Sequence, residues 1–170
     1  MMRPALFVWL ALISFAAQAF ELKVEPVGEN AYAILGEIGP RTPENHALNN
    51  TLGFVVTEDG VVLVGSGATP TGAQLLEQAV ARVTDKPIRL VVTIGVQDHH
   101  WMGNSCFAQK GITIKALKRT VDNQREQAEA HLGRLKAQIG KEADTVIPLI
   151  STRPAAIPAI TWTGLPRKLA

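Results

Sequence analysis

The pattern of apolar and polar positions in the first part of the chain predicts β-strands joined by turns. Short apolar runs occur at Ala31–Leu35, at residues 52–57 and at Val61–Val64, and the last two are rich in β-branched residues. These two runs flank Glu58-Asp59-Gly60, whose Asp-Gly turn predicts a β-hairpin. Residues 36–50, rich in Gly, Pro, Asn and Thr, predict a loop.

A helix and a strand are predicted next. Thr71 begins a stretch whose apolar residues recur at helical spacing on one face, and Pro87 marks its end. These apolar residues are Leu75, Leu76, Ala79, Val80 and Val83. The run IRLVVTI at residues 88–94 predicts a strand buried on both faces, as between two helix layers.

The central region continues to alternate between helix and strand. A polar turn at residues 95–103 is followed by one or two helical turns at 104–110, a strand at 112–116 and a long charged helix at 120–139. A short apolar stripe predicts the buried face of that helix: Leu132, Leu135 and Ile139. The order of elements predicts an α/β fold with helices packed on a sheet.

The first 19 residues have the three parts of a secretory signal peptide. Arg3 precedes an apolar run at residues 5–17, and Ala17-Gln18-Ala19 is the small-x-small pattern of a signal-peptidase site. The run is shorter than the roughly 20 residues that span a bilayer, so cleavage is favoured over anchoring. The mature chain is expected to begin near Phe20, in the periplasm or outside the cell, with no stable membrane anchor.

The last part of the chain differs in composition from the rest. After Asp144 no acidic residue occurs, and proline interrupts the sequence at positions 148, 154, 158 and 166. Because proline excludes a long helix or a central strand, residues 146–170 are predicted to be a Pro-rich irregular tail after a half-domain at residues 20–145. A shifted reading frame or a premature stop would produce such an end, which is a hypothesis from composition alone.

Composition excludes some classes of function. Removing the first 19 of 170 residues leaves 151, enough for one domain, and because Arg3 is the only charge removed, 17 basic residues become 16 against 15 acidic ones. This near balance gives no electrostatic basis for binding nucleic acid or an acidic membrane. Cys106 is the only cysteine of the sequence, and its apolar surroundings favour a buried hydrophobic residue over a nucleophile.

The candidate chemistry lies in a polar turn that contains two of the four histidines. Asp98-His99-His100, flanked by Gln97 and Trp101, follows the predicted buried strand, and α/β sheets bind ligands outside the carboxyl ends of their strands. A carboxylate and two imidazoles there can bind a metal ion, move protons, or only turn the chain. His46 in the loop and His131 on the charged helix are predicted to be exposed to solvent.

Several segments, taken in order, resemble the metallo-β-lactamase-fold hydrolases. Residues 52–64 are similar to the opening hairpin of that family, and Gly65-Ser66-Gly67 stands where the family has an Asp-Thr-Gly or Asp-Ser-Gly turn. Residues 84–93 are similar to the helix end and strand that follow. Residues 98–104 (DHHWMGN) resemble the Asp-His and Gly-Asn elements of the family's His-x-His-x-Asp-His motif. The resemblance covers residues 24–117 and implies half of an αββα sandwich.

The resemblance also implies a metal site. In that family the motif holds two metal ions, usually zinc, which lower the pKa of a bridging water and make a hydroxide nucleophile. It assigns Asp98, His99 and His100 as metal ligands, with Asp98 also in a catalytic role. Trp101, beside Met102, is expected to offer an apolar contact to the substrate. Zinc prefers four ligands, so at most one ion is expected here.

The His-x-His pair of the motif is absent from this sequence. If residues 98–99 set the register, the two missing histidines fall at Ile94 and Val96. If residues 100–104 set it, they fall at Gly95 and Gln97, and His99 replaces the Asp. Neither register restores the pair.

Two further departures concern the turn and the length. The turn aspartate of the family is Gly65 here, and nothing after residue 145 resembles the family's second half, which supplies the remaining metal ligands. Gly65-Ser66-Gly67 also lacks the Gly-x-Ser-x-Gly elbow of a serine hydrolase, so a catalytic Ser66 is disfavoured.

Two functions agree with these observations. The first is an exported metallo-β-lactamase-fold hydrolase-like protein, truncated, with a depleted metal site and weak or no activity on a small-molecule substrate that the sequence does not identify. The alternative is a non-enzymatic periplasmic binding module or an inactive remnant. Because the family packs two halves together, one half alone exposes an apolar face and is expected to self-associate.

Overall fold

A six-stranded mixed sheet forms the centre of the protein in a computed structural model, which describes residues 20–152. The elements are β1 (Lys23–Gly28), β2 (Ala31–Leu35), β3 (Leu52–Val56), β4 (Val61–Val64), α1 (Pro70–Ala81), β5 (Ile88–Val92), α2 (Asn104–Ala108), β6 (Thr113–Lys115) and α3 (Lys118–Ile139). The strands lie side by side in chain order, antiparallel from β1 to β4 and parallel from β4 to β6. The predicted α/β class is confirmed.

The predicted hairpin between β3 and β4 is confirmed. The N–H and the hydroxyl of Thr57 both donate to the carbonyl of Gly60, at 2.8 and 2.7 Å, and close the turn. Gly60 has a φ of 144°, a region that side chains rarely adopt, and a Cβ there would lie 2.6 Å from the carbonyl oxygen of Pro87. The Asp-Gly signal therefore marks a position where only glycine fits.

The predicted first helix forms, but it ends earlier than the sequence suggested. The hydroxyl of Thr69 accepts a hydrogen bond from Gly72 N–H at 2.9 Å, and Pro70 occupies the first turn, where its missing N–H costs nothing. The helix stops at Ala81, well before Pro87. Buried residues of α1 pack on the sheet: Ala73, Leu76, Ala79 and Val80.

The two faces of the sheet are covered differently. On one face, Phe54, Leu63, Val91 and Ile114 form a row of directly paired positions across β3 to β6 and join α1 and α2 residues in the main core. On the other face, Leu90 and Val92 of β5 are only partly buried, and Ile94, just beyond the end of the strand, is 63% exposed, so the prediction that residues 88–94 are buried on both faces is wrong.

The less covered face, called here the open sheet face, carries apolar and small side chains around a groove of about 310 Å³. Its residues include Val27, Ala31, Ala33, Gly53, Val55, Val64 and Ile94. The alternation of side chains along β2, β3 and β4 places Ala31, Ala33, Gly53, Val55 and Val64 opposite the main core, and Val27 and Ile94 line the same groove. The structure thus shows one covered and one open side of the same sheet.

The long helix α3 packs over the turn that follows β5. Leu135 and Ile139 of the predicted stripe are buried, and they join Trp101 and Met102 in a second apolar cluster. Leu132 packs against this cluster while partly exposed. The charged helix therefore packs on the polar turn at residues 95–103, called here the candidate turn, and is not only a solvated surface helix.

The first residues of the predicted tail are tied to the sheet. Lys115 and Thr152 form a parallel bridge beside β6, and Ser151 N–H donates to the buried side chain of Gln124 at 3.3 Å. Gln124 also donates to the Gly95 carbonyl at 3.1 Å, which links α3, the tail and the candidate turn. The predicted signal peptide and residues 153–170 of the tail lie outside the described residues. Among residues 20–152, no helix has the length and apolar character needed to cross a membrane.

Candidate functional site

The candidate turn, residues 95–103, contains a single 3₁₀ turn at Asp98–His100, which is followed directly by Trp101. The backbone N–H groups of Trp101 and Met102 both donate to the Asp98 carbonyl, at 3.0 and 2.9 Å. The indole Nε1–H of Trp101 donates to the Val96 carbonyl at 2.8 Å. Trp101 is fully buried, so the expected apolar contact surface for a substrate is not presented by its ring; the ring anchors the turn instead.

Arg41, from the loop after β2, binds both Asp98 and His99. Its Nη1 is hydrogen-bonded to the Asp98 carboxylate, and its Nη2 lies 2.7 Å from His99 Nδ1. Asp98 also accepts a hydrogen bond from the backbone N–H of His99 at 2.8 Å. The side chain of Asp98 is 1% exposed and that of Arg41 15%, so this is a buried, charge-assisted contact. It is called here the Arg41–Asp98–His99 group.

Two amide side chains complete the contacts of the Arg41 guanidinium. Asn49 accepts from Nε at 3.4 Å and Gln138 from Nη1 at 3.5 Å. Sequence reasoning missed Arg41, although it is the only lysine or arginine in residues 36–50. Its partner is 57 positions away, and no local pattern connects the two.

The protonation of His99 follows from these contacts. A guanidinium only donates hydrogen bonds, so His99 Nδ1 accepts and its proton lies on Nε2. Burial first, and then the neighbouring His100 and Arg41, lower the pKa of His99 to about 4, although Asp98 acts in the opposite direction. His99 is therefore neutral at pH 7, because an imidazolium there would be buried and would also lie beside the permanent positive charge of Arg41.

His100 lies against His99, with ring centroids 4.5 Å apart, but unlike His99 it makes no hydrogen bond to Arg41. Burial lowers the pKa of His100, and its Nδ1 is buried without a hydrogen-bond partner. Its ring packs on Gly95, where a Cβ would overlap ring atoms. Position 95, one of the four positions at which the two registers place a missing family histidine, therefore accommodates no side chain while the His100 ring packs there.

The residues present do not fit a metal ion. Among residues 20–152, no group of three His, Cys, Asp or Glu side chains is arranged to hold one. Of the predicted ligands, both oxygens of Asp98 and the Nδ1 of His99 already accept hydrogen bonds. The cation that these groups contact is the guanidinium of Arg41. A metal ion would have to displace a permanently charged group from a buried carboxylate.

The other two histidines are less exposed than predicted. His46 is partly buried, with Nδ1 3.0 Å from the Glu142 carboxylate and its ring in edge contact with Phe20. His131, a residue of α3, is buried, so the prediction of an exposed side chain is wrong. Its Nδ1 accepts from Arg134 Nη2 at 2.9 Å. The His46 ring thus contacts residues distant in sequence, Glu142 and Phe20, and the His131 ring contacts Arg134 on the same helix.

His131 and Arg134 line a polar pocket of about 360 Å³, called here the Arg134 pocket. It lies between the loop after β2, the candidate turn and α3. Its lining residues are Pro40, Arg41, Asn49, Gln97, Asp98, His131, Arg134 and Gln138. A larger cavity of about 620 Å³ lies elsewhere, near Lys86 and Lys110, and contains none of the predicted site residues.

Two possible nucleophiles are placed where they cannot react readily. Ser66 is fully buried, and its backbone N–H donates to the His100 carbonyl at 3.1 Å. Cys106 is partly buried, and burial raises the pKa of its thiol, which keeps it protonated at pH 7. Both observations agree with the structural roles expected from the sequence.

No protein-family model matches this sequence, and no curated protein matches it. The fold, in contrast, is similar to solved metallo-β-lactamases. The enzyme from Pontibacter korlensis matches with a TM-score of 0.52 at 14% identity, over 64% of this chain and 49% of that one. The enzyme from Hirschia baltica matches with a TM-score of 0.52 at 16% identity, over the same shares of the two chains.

A third similar structure is that of the metallo-β-lactamase FIM-1 from Pseudomonas aeruginosa in its mono-zinc form. It matches with a TM-score of 0.52 at 15% identity, over 64% of this chain and 47% of that one. The chain thus spans about half the length of the structures it matches. These likenesses confirm the predicted resemblance in fold, and at such low identity they show the fold alone.

Proposed function

We propose that this protein is a metallo-β-lactamase-fold binding module that works without a metal ion. The observation that carries the proposal is the contact of the Arg41 guanidinium with both Asp98 and His99. This contact gives the buried carboxylate its positive partner from within the chain. The hydrolase reading of the same residues needs that carboxylate free for zinc.

Electrostatics favour the internal partner over an added ion. Arginine is charged at every working pH, and its planar fork suits a carboxylate. Removing one partner from a buried ion pair costs about 3–5 kcal/mol. Zinc bound at Asp98 would leave the largely buried Arg41 guanidinium without its carboxylate, and the described residues offer no group of three metal ligands to offset that loss.

The proposed ligand is a small molecule, and the proposed site is the Arg134 pocket. This pocket borders Asp98 and Gln97, which follow the carboxyl end of β5. Open α/β sheets bind ligands at this end because loops there converge above the strands. At about 360 Å³ the pocket lies within the usual range for small-molecule sites.

The experiment that tests the proposal is a metal analysis of the full chain, purified without chelator. We expect no stoichiometric zinc by elemental analysis, and a melting temperature that EDTA does not change. A stoichiometric zinc content that is lost in both Asp98→Ala and His99→Ala would overturn the proposal and restore the single-zinc hydrolase reading. Cys106→Ala serves as the matched control, since that thiol lies outside the candidate turn.

We further propose that a second copy of the chain covers the open sheet face. The groove residues of this face carry no charged side chain, so an equally apolar surface is a suitable partner. Burying two such faces against each other removes apolar surface from water on both copies.

A further inference from the structure

The Arg134 pocket is built from side chains of three separate segments. His131, Arg134 and Gln138 lie three and four positions apart on α3 and therefore project from one side of the helix. The loop after β2 contributes Arg41 and Asn49 to the same lining. The amide side chains provide neutral donors and acceptors around the two guanidinium groups.

The charges that face this pocket leave one positive charge without compensation. Arg41 is paired with Asp98. Burial and the nearby Arg134 lower the pKa of His131, so that ring is neutral at pH 7. Within residues 20–152, no carboxylate lies in salt-bridge distance of Arg134.

The Arg134 guanidinium is also held in place. One N–H of its Nη2 donates to His131 Nδ1 at 2.9 Å, which puts the His131 proton on Nε2, 3.2 Å from the Gln127 side-chain oxygen. The imidazole that accepts this hydrogen bond is buried, so the contact orients an otherwise exposed arginine. The remaining N–H groups of Arg134 have no hydrogen-bond partner within the described part of the chain.

We infer that the Arg134 pocket binds a small molecule through an oxyanion, a carboxylate or phosphate group held by the Arg134 guanidinium. The inference rests on the proposed function, because it names the ligand class of the proposed module. A pre-oriented guanidinium binds two oxygens of such a group at once. The Gln97 and Asn49 amides, which also line the pocket, would contact the rest of the ligand.

The test is calorimetric titration of the full chain with inorganic phosphate and, separately, with acetate, each at constant ionic strength set with chloride. Arg134→Gln removes the charge and keeps a hydrogen-bonding side chain of similar length. Arg125→Gln is the matched control, because Arg125 is an exposed arginine of the same helix that lies outside the pocket. The stronger of the two titrants identifies the anion type.

We expect saturable binding of at least one anion, weakened about tenfold or more by Arg134→Gln and unchanged by Arg125→Gln. No saturable binding of either anion, or equal weakening by both substitutions, would overturn the inference.

Repeating the titration with EDTA separates this inference from the proposed function. Binding that EDTA abolishes in a zinc-containing protein would place the anion on the metal and overturn both proposals. Binding that survives EDTA and depends on Arg134 supports the inference, whatever the metal analysis gives. A metal-free protein that binds neither anion would overturn the oxyanion inference alone, and the proposed function without a metal ion would remain.

Discussion

The guanidinium of Arg41 and the buried carboxylate of Asp98 form an ion pair across 57 positions of the sequence. Asp98 is the residue that the family resemblance assigns to a metal ion. Its partner here is a side chain from the loop after β2. This relationship separates the fold of the protein, which resembles metallo-β-lactamases, from the metal chemistry that the resemblance implies.

Replacing Arg41 tests the strength of this pair. We expect Arg41→Ala to lower the free energy of unfolding by about 3–5 kcal/mol, because a buried carboxylate would lose its positive partner. Urea denaturation measures the change. Arg125→Ala, which breaks an exposed contact with Asp122, is the control and should cost about 1 kcal/mol or less. Equal losses in the two variants would contradict a buried pair.

Stability should fall when the pH is lowered from 6.5 towards 4. The pKa of His99 is about 4 in the folded protein and about 6.5 when unfolded, so the unfolded chain binds more protons in this interval. The free energy of unfolding therefore decreases progressively as the pH falls, by about 3 kcal/mol once the pH is below both pKa values.

Urea denaturation at several pH values checks this. The Gln side chain in His99→Gln keeps an oxygen that can accept from Arg41 but does not titrate. In this variant the free energy of unfolding should therefore change less between pH 6.5 and 4 than in the wild-type protein. His100 and His131 contribute slopes of the same sign in both proteins, because their pKa values are also lowered. Identical slopes for the two proteins would show that His99 protonates freely in the fold.

Two glycines should respond to alanine in opposite directions. A Cβ on Gly103 would overlap the Ser66 carbonyl oxygen, so Gly103→Ala should destabilise the fold by about 1–3 kcal/mol. Gly133 lies in α3 with open space around it, so Gly133→Ala should stabilise the fold by about 0.5–1 kcal/mol. Thermal melts of both variants measure this, and a change of the same sign in both would refute the predicted packing of the turn.

The open sheet face should control self-association. We expect the protein to sediment as a dimer or larger species, and Ile94→Glu to shift it towards the monomer, because a carboxylate would be buried in an apolar interface. Ile38→Glu is the matched control, since Ile38 is fully exposed and does not line the groove. A monomeric wild-type protein in analytical ultracentrifugation would refute a second copy as the cover.

Export is tested by sequencing the N-terminus of the protein recovered outside the cytoplasm. We expect the mature chain to begin at Phe20, after the Ala17-Gln18-Ala19 site. Ala19→Arg should block cleavage, because the site requires a small residue. Protein retained in the cytoplasm with Met1 intact would contradict the predicted signal peptide.

Much of the fold could be predicted from the sequence because the patterns that indicate its strands, turns and helices are local. The Asp-Gly turn, the β-branched runs of β3 and β4 and the helical spacing of α1 each depend on neighbours a few positions apart. β1 carried no comparable signal, since KVEPVG alternates only over its first three residues and contains Pro26. It forms at the sheet edge, where a proline is tolerated.

By itself, the sequence determined the α/β order of elements, the hairpin and the turn that carries Asp98, His99 and His100. Only the tertiary structure decided what surrounds that turn. The packing of a loop and of α3 over it brought in Arg41, buried Trp101 and His131, and left Ile94 exposed. Periodicity records which face of an element is apolar, whereas ion pairs, burial and proton positions depend on distant segments that meet only in the folded chain.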